Sequence, residues 1–117
     1  MILARKLPKR RYERYRHDLP IRAHVYASEA TFFSIRGRCC ELGEGGAGAT
    51  LNDQLPPGEV VALELSPTLK IYAAVRYLRG FYHGFEFVML RDRQREALHQ
   101  MCAALAARHV KPQAAQA

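Results

Sequence analysis

The sequence predicts an all-β domain, an antiparallel barrel or sandwich of six strands followed by one helix. Three observations carry this. Six short runs are rich in apolar, β-branched and aromatic residues. Turn signals, not helices, separate them. Helical periodicity is found once, after residue 92.

The strands follow in order. Residues 20–27 put Ile21, Ala23 and Val25 on one face and Arg22, His24 and Tyr26 on the other, the period of a half-buried strand. Residues 31–42, "TFFSIRGRCCEL", form the second run. "GEGGAGA" breaks the pattern and "ATL" resumes it as a short third strand. Pro56, Pro57 and Gly58 make a turn that leads into "VVALEL". "SP" turns the chain again before "LKIYAAVRYL", and "RG" before "FYHGFEFVML". The helix is expected to start at Asp92, an N-cap residue, with Glu96 in its first turn. Leu98, Met101, Cys102 and Leu105 recur at i, i+3, i+4 and i+7, an apolar stripe that packs on the strands. Pro112 is expected to stop it.

One domain is expected from 117 residues. It divides into a flexible basic arm at 1–18, strands and helix at 19–109, and a disordered tail at 110–117. The net charge is +7. Seven Lys and Arg against one Glu in the first sixteen residues supply most of it. The body is nearly neutral, so the charge points to a defined anionic partner near the arm. Three cysteines, two of them adjacent, make no disulfide framework; buried, reduced thiols in a cytoplasmic protein are expected. No run approaches the ~18 apolar residues of a membrane span.

Gly43, Gly45 and Gly48 in "GEGGAG" satisfy G-x-G-x-x-G. A dinucleotide fingerprint also needs a helix at its last glycine, and Pro56 and Pro57 leave no room for one. The nearly matching phosphate-loop pattern fails because Ala49 stands where Lys is required. A glycine-rich bend between strands is the better reading. Cys39 and Cys40 lack metal-ligand spacing and point to opposite faces of a strand, so no metal or redox cofactor is expected. No serine or cysteine is paired with a base, so the chain is not expected to be an enzyme. Tyr72, Tyr77, Phe81, Tyr82, Phe85 and Phe87 are read mostly as core or cross-strand pairs.

Arg10 and Arg14 in "RRYER", the lead-in "HDLPIRAHV", the stretch "ELGEGG" with Glu41, Gly43 and Gly46, the run "GAGATL" and the closing "HGFEFVML" with "DRQREALHQM" together resemble the PilZ domain family over roughly residues 8–108. These are bacterial receptor domains for cyclic di-GMP. The resemblance implies a six-stranded antiparallel PilZ-like β-barrel with a C-terminal helix. It implies that Arg10 and Arg14, matching R-x-x-x-R, bind cyclic di-GMP, with Arg11 and Arg16 as helpers. Guanidinium suits this ligand because it forks onto phosphate and stacks on a purine. Glu41, Gly43 and Gly46 fall on D/N-x-S-x-x-G. Glu41 keeps a carboxylate, one methylene longer, while Gly43 loses the hydroxyl, which predicts binding weakened about tenfold. The expected function is a receptor that signals in trans to a protein partner. A degenerate adaptor that binds no nucleotide is the alternative. A small barrel that binds nucleic acid through its arm is disfavoured, on the expectation of few aromatics on an exposed barrel face.

Overall fold

The strands form where apolar residues alternate, and that alternation decides which side chains go inside. The computed structural model describes residues 12–116, with side chains as far as residue 108. The strands are β1 (Arg14–Tyr26), β2 (Phe32–Gly43), β3 (Gly46–Leu51), β4 (Val60–Ser66), β5 (Leu69–Arg79) and β6 (Tyr82–Phe87), followed by the helix α1 (Asp92–Gln116). All pairings are antiparallel, and the sheet closes as a barrel in the order β1-β2-β3-β6-β5-β4.

Ile21, Ala23 and Val25, Val61, Leu63 and Leu65, and Ile71, Ala73 and Val75 fill the interior with Phe85 and Phe87. Leu98, Cys102 and Leu105 join the same core, and Met101 packs against it. The expected apolar stripe of α1 is therefore its packing face.

Several boundaries differ from expectation. β1 starts at Arg14, inside the stretch read as a flexible arm. Arg14, Tyr15 and Arg16 pair with Gly43, Leu42 and Glu41, and Tyr15 packs on the core. Ladder bonds and that packing outweigh the repulsion between arginines. Residues 1–11 of the expected arm, with Arg10 and Arg11, lie outside the described residues. At the other end α1 runs through Pro112 to Gln116, where a tail was expected. Pro112 removes one helical bond, while the Ala and Gln residues that follow are strong helix formers. Asp92 is the first helical residue rather than the cap. The Arg91 backbone N–H donates to Gln94 Oε1 at 2.8 Å, the reach-back half of a capping box. Gln94 also donates to the Lys70 carbonyl at 2.9 Å and ties α1 to β5.

β3 begins at Gly46, within the expected glycine bend; the bend itself is only Glu44 and Gly45. β6 ends at Phe87, three residues before the expected end of the last strand at Leu90. The chain there passes through Met89 at φ 54°, a conformation costly for a residue with a Cβ. Cys39 is buried as expected, but Cys40 is exposed.

Register shifts between Cys39 and Glu41 in β2 and between Val75 and Tyr77 in β5 mark two bulges. Each inserts a residue and reverses the alternation beyond it. By parity with the inward Ile35 and Cys39, Glu41 would point inside. The bulge sends Leu42 inside and frees Glu41 to face outward. Tyr77, two residues after the inward Val75, is turned outward in the same way.

Candidate functional site

Arg14 stands at the start of β1, opposite Gly43 on β2. Its side chain crosses Gly46 on β3, where Nη2 lies 2.9 Å from the place a Cβ would take. Nη2 donates a long bond, 3.4 Å, to the Phe85 carbonyl. Nη1 lies 3.6 Å from Glu41 Oε1. It is buried and makes no hydrogen bond among the described residues. A buried donor without a partner costs free energy, so this guanidinium is poised to take an acceptor.

Glu41 Oε2 accepts a bond from the Tyr82 hydroxyl at 2.9 Å. Burial, and then the Glu41 carboxylate, push the Tyr82 hydroxyl well above its ordinary range. It therefore stays protonated and donating. Both side chains lie over Gly48, where a Cβ would fall 1.9 Å from Tyr82 Oη and 2.9 Å from Glu41 Cγ. The next glycine in register across the sheet, Gly84, is covered by the Tyr77 ring, 2.2 Å from its notional Cβ. The rings of Tyr77 and Tyr82 stand 6.3 Å apart, and the Arg79 guanidinium sits over Tyr77 at 5.7 Å. The result is a glycine-floored outer face that carries a cation, a carboxylate and two tyrosines in contact.

Beside it opens a pocket of about 430 Å³ lined by Tyr12, Arg14, Gly43, Gly46, Met89 and Arg95, among others. Tyr12 lies over Gly45 and Arg95 reaches in from α1. Among the sequence-predicted residues, the structure brings Arg14, Gly43 and Gly46 to this pocket, with Glu41 beside Arg14. Arg16 sits opposite Glu41 in the ladder. A larger groove of about 940 Å³ between α1 and the β4–β5 turn contains none of them.

Gly43 has no special dihedral. What it provides is space, because a Cβ there would fall 2.6 Å from the Glu13 carbonyl oxygen. Tyr77, Arg79 and Tyr82 were missed. Alternation placed the tyrosines in the core or in cross-strand pairs, and the β5 bulge was invisible to it. Gly84 inside a strand was the available signal, since such a glycine marks close approach of another group. The expectation of few exposed aromatics fails as well: Tyr26, Phe32, Phe33, Tyr72 and Phe81 are all about half exposed. Burial pushes the Cys39 thiol up to about 12 and the Cys102 thiol up to about 11, so neither is an activated nucleophile. No group of three or more metal-ligating side chains occurs among the described residues, and no helix among them is long and apolar enough to cross a membrane.

This architecture is a small closed β-barrel with a cationic, tyrosine-lined outer face. A family model for the PilZ domain matches residues 8–104, and the chain belongs to the PilZ domain family. No curated protein matches it. Among solved structures it resembles the PilZ domain with c-di-GMP of YcgR from Escherichia coli, at 18% identity and a TM-score of 0.62, over 94% of this chain and 100% of that one. It also resembles the PilZ domain of CeSA from a cellulose synthesizing bacterium, at 15% identity and a TM-score of 0.61, over 80% of this chain and 98% of that one. A further match is YcgR in complex with c-di-GMP from Escherichia coli, at 20% identity and a TM-score of 0.68. That match covers 92% of this chain and half the length of that one.

Proposed function

We propose that the domain is a receptor for cyclic di-GMP and passes the signal to a protein partner in trans. The observation that carries this reading is Arg14, a guanidinium held over Gly46 with a buried Nη1 that makes no hydrogen bond among the described residues, in a chain of the PilZ family. Two YcgR structures to which the fold is similar contain this ligand.

In this proposal Arg14 forks onto a ligand phosphate. Arg10 and Arg11, four and three residues before it, close over the ligand from the other side. The Glu41 carboxylate accepts from the N–H edge of a guanine, while the Tyr82 hydroxyl holds that carboxylate in place. The Arg79 guanidinium, held over the Tyr77 ring, offers a plane on which a base can stack. Gly43 and Gly46 let the ligand approach the backbone closely.

A second reading is an adaptor that takes no nucleotide, and one contact favours it. Glu41 stands where the family carries Asp or Asn, and its carboxylate already neighbours the Arg14 guanidinium. An internal anion then competes with the ligand phosphate. Titration calorimetry with cyclic di-GMP separates the two. The receptor reading expects binding that Arg14→Ala weakens by about 1.5–3 kcal/mol, with Arg10→Ala comparable and the fold intact. Unchanged affinity in both variants refutes the site. A wild-type chain that takes up no ligand overturns the receptor reading and favours the adaptor.

A further inference from the structure

β2 is paired on both sides only along part of its length. From Gly37 to Leu42 it lies between β1 and β3. From Phe32 to Ile35 it pairs with β1 alone. At the boundary the Arg36 carbonyl accepts from the Asn52 N–H at 2.8 Å. Beyond it, among the described residues, the side of β2 away from β1 has no strand beside it. Main-chain donors and acceptors on that edge face outward, the arrangement that templates another strand.

The side chains leave this edge unprotected. "TFFSI", residues 31–35, has no charge, proline or glycine, the usual devices against edge pairing. Phe32 and Phe33 are 55% and 51% exposed, and Tyr26, against Phe32 at 5.6 Å, is 49% exposed. Other stretches also lack a second neighbour, but the longest, Arg14–Ile21 of β1 on the side of β4, carries Arg14, Arg16, Asp18 and Pro20, the charges and proline that guard an edge.

We propose that the open edge of β2 docks the same edge of a second copy of this chain, as an antiparallel two-fold strand pair. Symmetry supports this occupant, because an antiparallel edge presents complementary main-chain groups to its own copy. Charge supports the direction. Glu29 lies before the edge and Arg36 after it, both exposed. Antiparallel pairing brings Glu29 of one copy toward Arg36 of the other, at both ends. Parallel pairing would set like charges together. The exposed Phe32 and Phe33 then pack across the junction, and the pairing leaves the Arg14 face free.

Sedimentation equilibrium of the full chain tests this. A concentration-dependent dimer is expected. Phe33→Lys raises its dissociation constant by at least about tenfold, with an unchanged thermal midpoint at concentrations where both chains are monomeric, because the side chain is already exposed; Phe32→Lys serves if that variant fails to fold. Glu29→Lys and Arg36→Glu each weaken the dimer, and the double variant recovers it. Amide exchange at residues 32–35 slows as concentration rises. A chain that stays monomeric overturns the proposal and leaves the edge to an extended segment of another protein. A dimer indifferent to Phe33→Lys overturns the interface. One broken by Phe33→Lys but blind to the charge reversals overturns the antiparallel direction.

Discussion

The two halves of β2 do opposite things. From Gly37 to Leu42 it lies between β1 and β3, nearly all its main-chain groups are used in the barrel, and it supports the Arg14 face. From Phe32 to Ile35 it has one neighbour and two half-exposed phenylalanines. Where the backbone is saturated, recognition has to come from side chains laid over glycines. Where it is unsaturated, the backbone itself is available. Crowding differs accordingly. At Gly46 and Gly48 a methyl group would collide with neighbours at 2.2 and 1.9 Å, while at Phe33 a whole ring stands half in solvent.

That contrast breaks most sharply at Gly46. Gly46→Val drives a side chain against the Phe85 carbonyl, and backbone cannot rotate away. A stability loss of about 2–3 kcal/mol is expected in urea unfolding, with Arg14 displaced as well. A loss under half of that would mean that the face is not crowded.

The barrel also has an acid-sensitive point beneath the site-bearing strands. His83 is fully buried on β6. Its Nε2 accepts the Leu55 N–H at 2.9 Å and its Nδ1 donates to the Phe81 carbonyl at 2.9 Å. Both nitrogens are used by the neutral ring. Burial lowers its pKa below the ordinary 6.5. The unfolded chain therefore binds this proton more readily, so stability is full above about pH 6.5 and is lost as pH falls toward the folded value. Unfolding free energies from urea titrations between pH 8 and 5 should fall below pH 6.5, by roughly the ~1 kcal/mol of one hydrogen bond. His83→Gln should flatten that part of the curve; an unchanged slope would assign it to another group.

Gly43→Ser tests space against chemistry. Restoring the family's hydroxyl was expected to tighten ligand binding. The Glu13 carbonyl at 2.6 Å from the notional Cβ reverses that expectation. The start of β1 must shift, at a cost of about 1 kcal/mol, and calorimetry should show weaker cyclic di-GMP binding. Tighter binding would show that β1 yields easily there. The smallest effect belongs to the open half of β2. Phe33→Ala should change monomer stability by no more than about 0.5 kcal/mol. A larger loss in thermal or urea unfolding would place Phe33 in the core and remove the contrast.

Much of this fold was legible in the sequence. Alternation at Ile21, Ala23 and Val25 gave the inner face of β1, turn residues separated the strands, and the Leu98–Cys102–Leu105 stripe gave the packing face of α1. Arg14, Gly43 and Gly46 were marked by their motif spacing. Arg10 and Arg11 lie outside the described residues, so their placing still rests on the resemblance. The outward turn of Tyr77 and Glu41 could not be read, because alternation assumes an unbroken ladder and a single inserted residue inverts it.

By itself, the sequence determined the strand count, the inner face of β1 from Ile21 to Val25, the packing stripe of α1 and Arg14 as a candidate cation. These depend on local periodicity and residue chemistry. The tertiary structure decided where the ladders slip, which glycines lie under which rings, and where β2 runs past its β3 partner. Each of those depends on register between strands distant in the chain. Register is a property of two segments together, which no single run of residues contains.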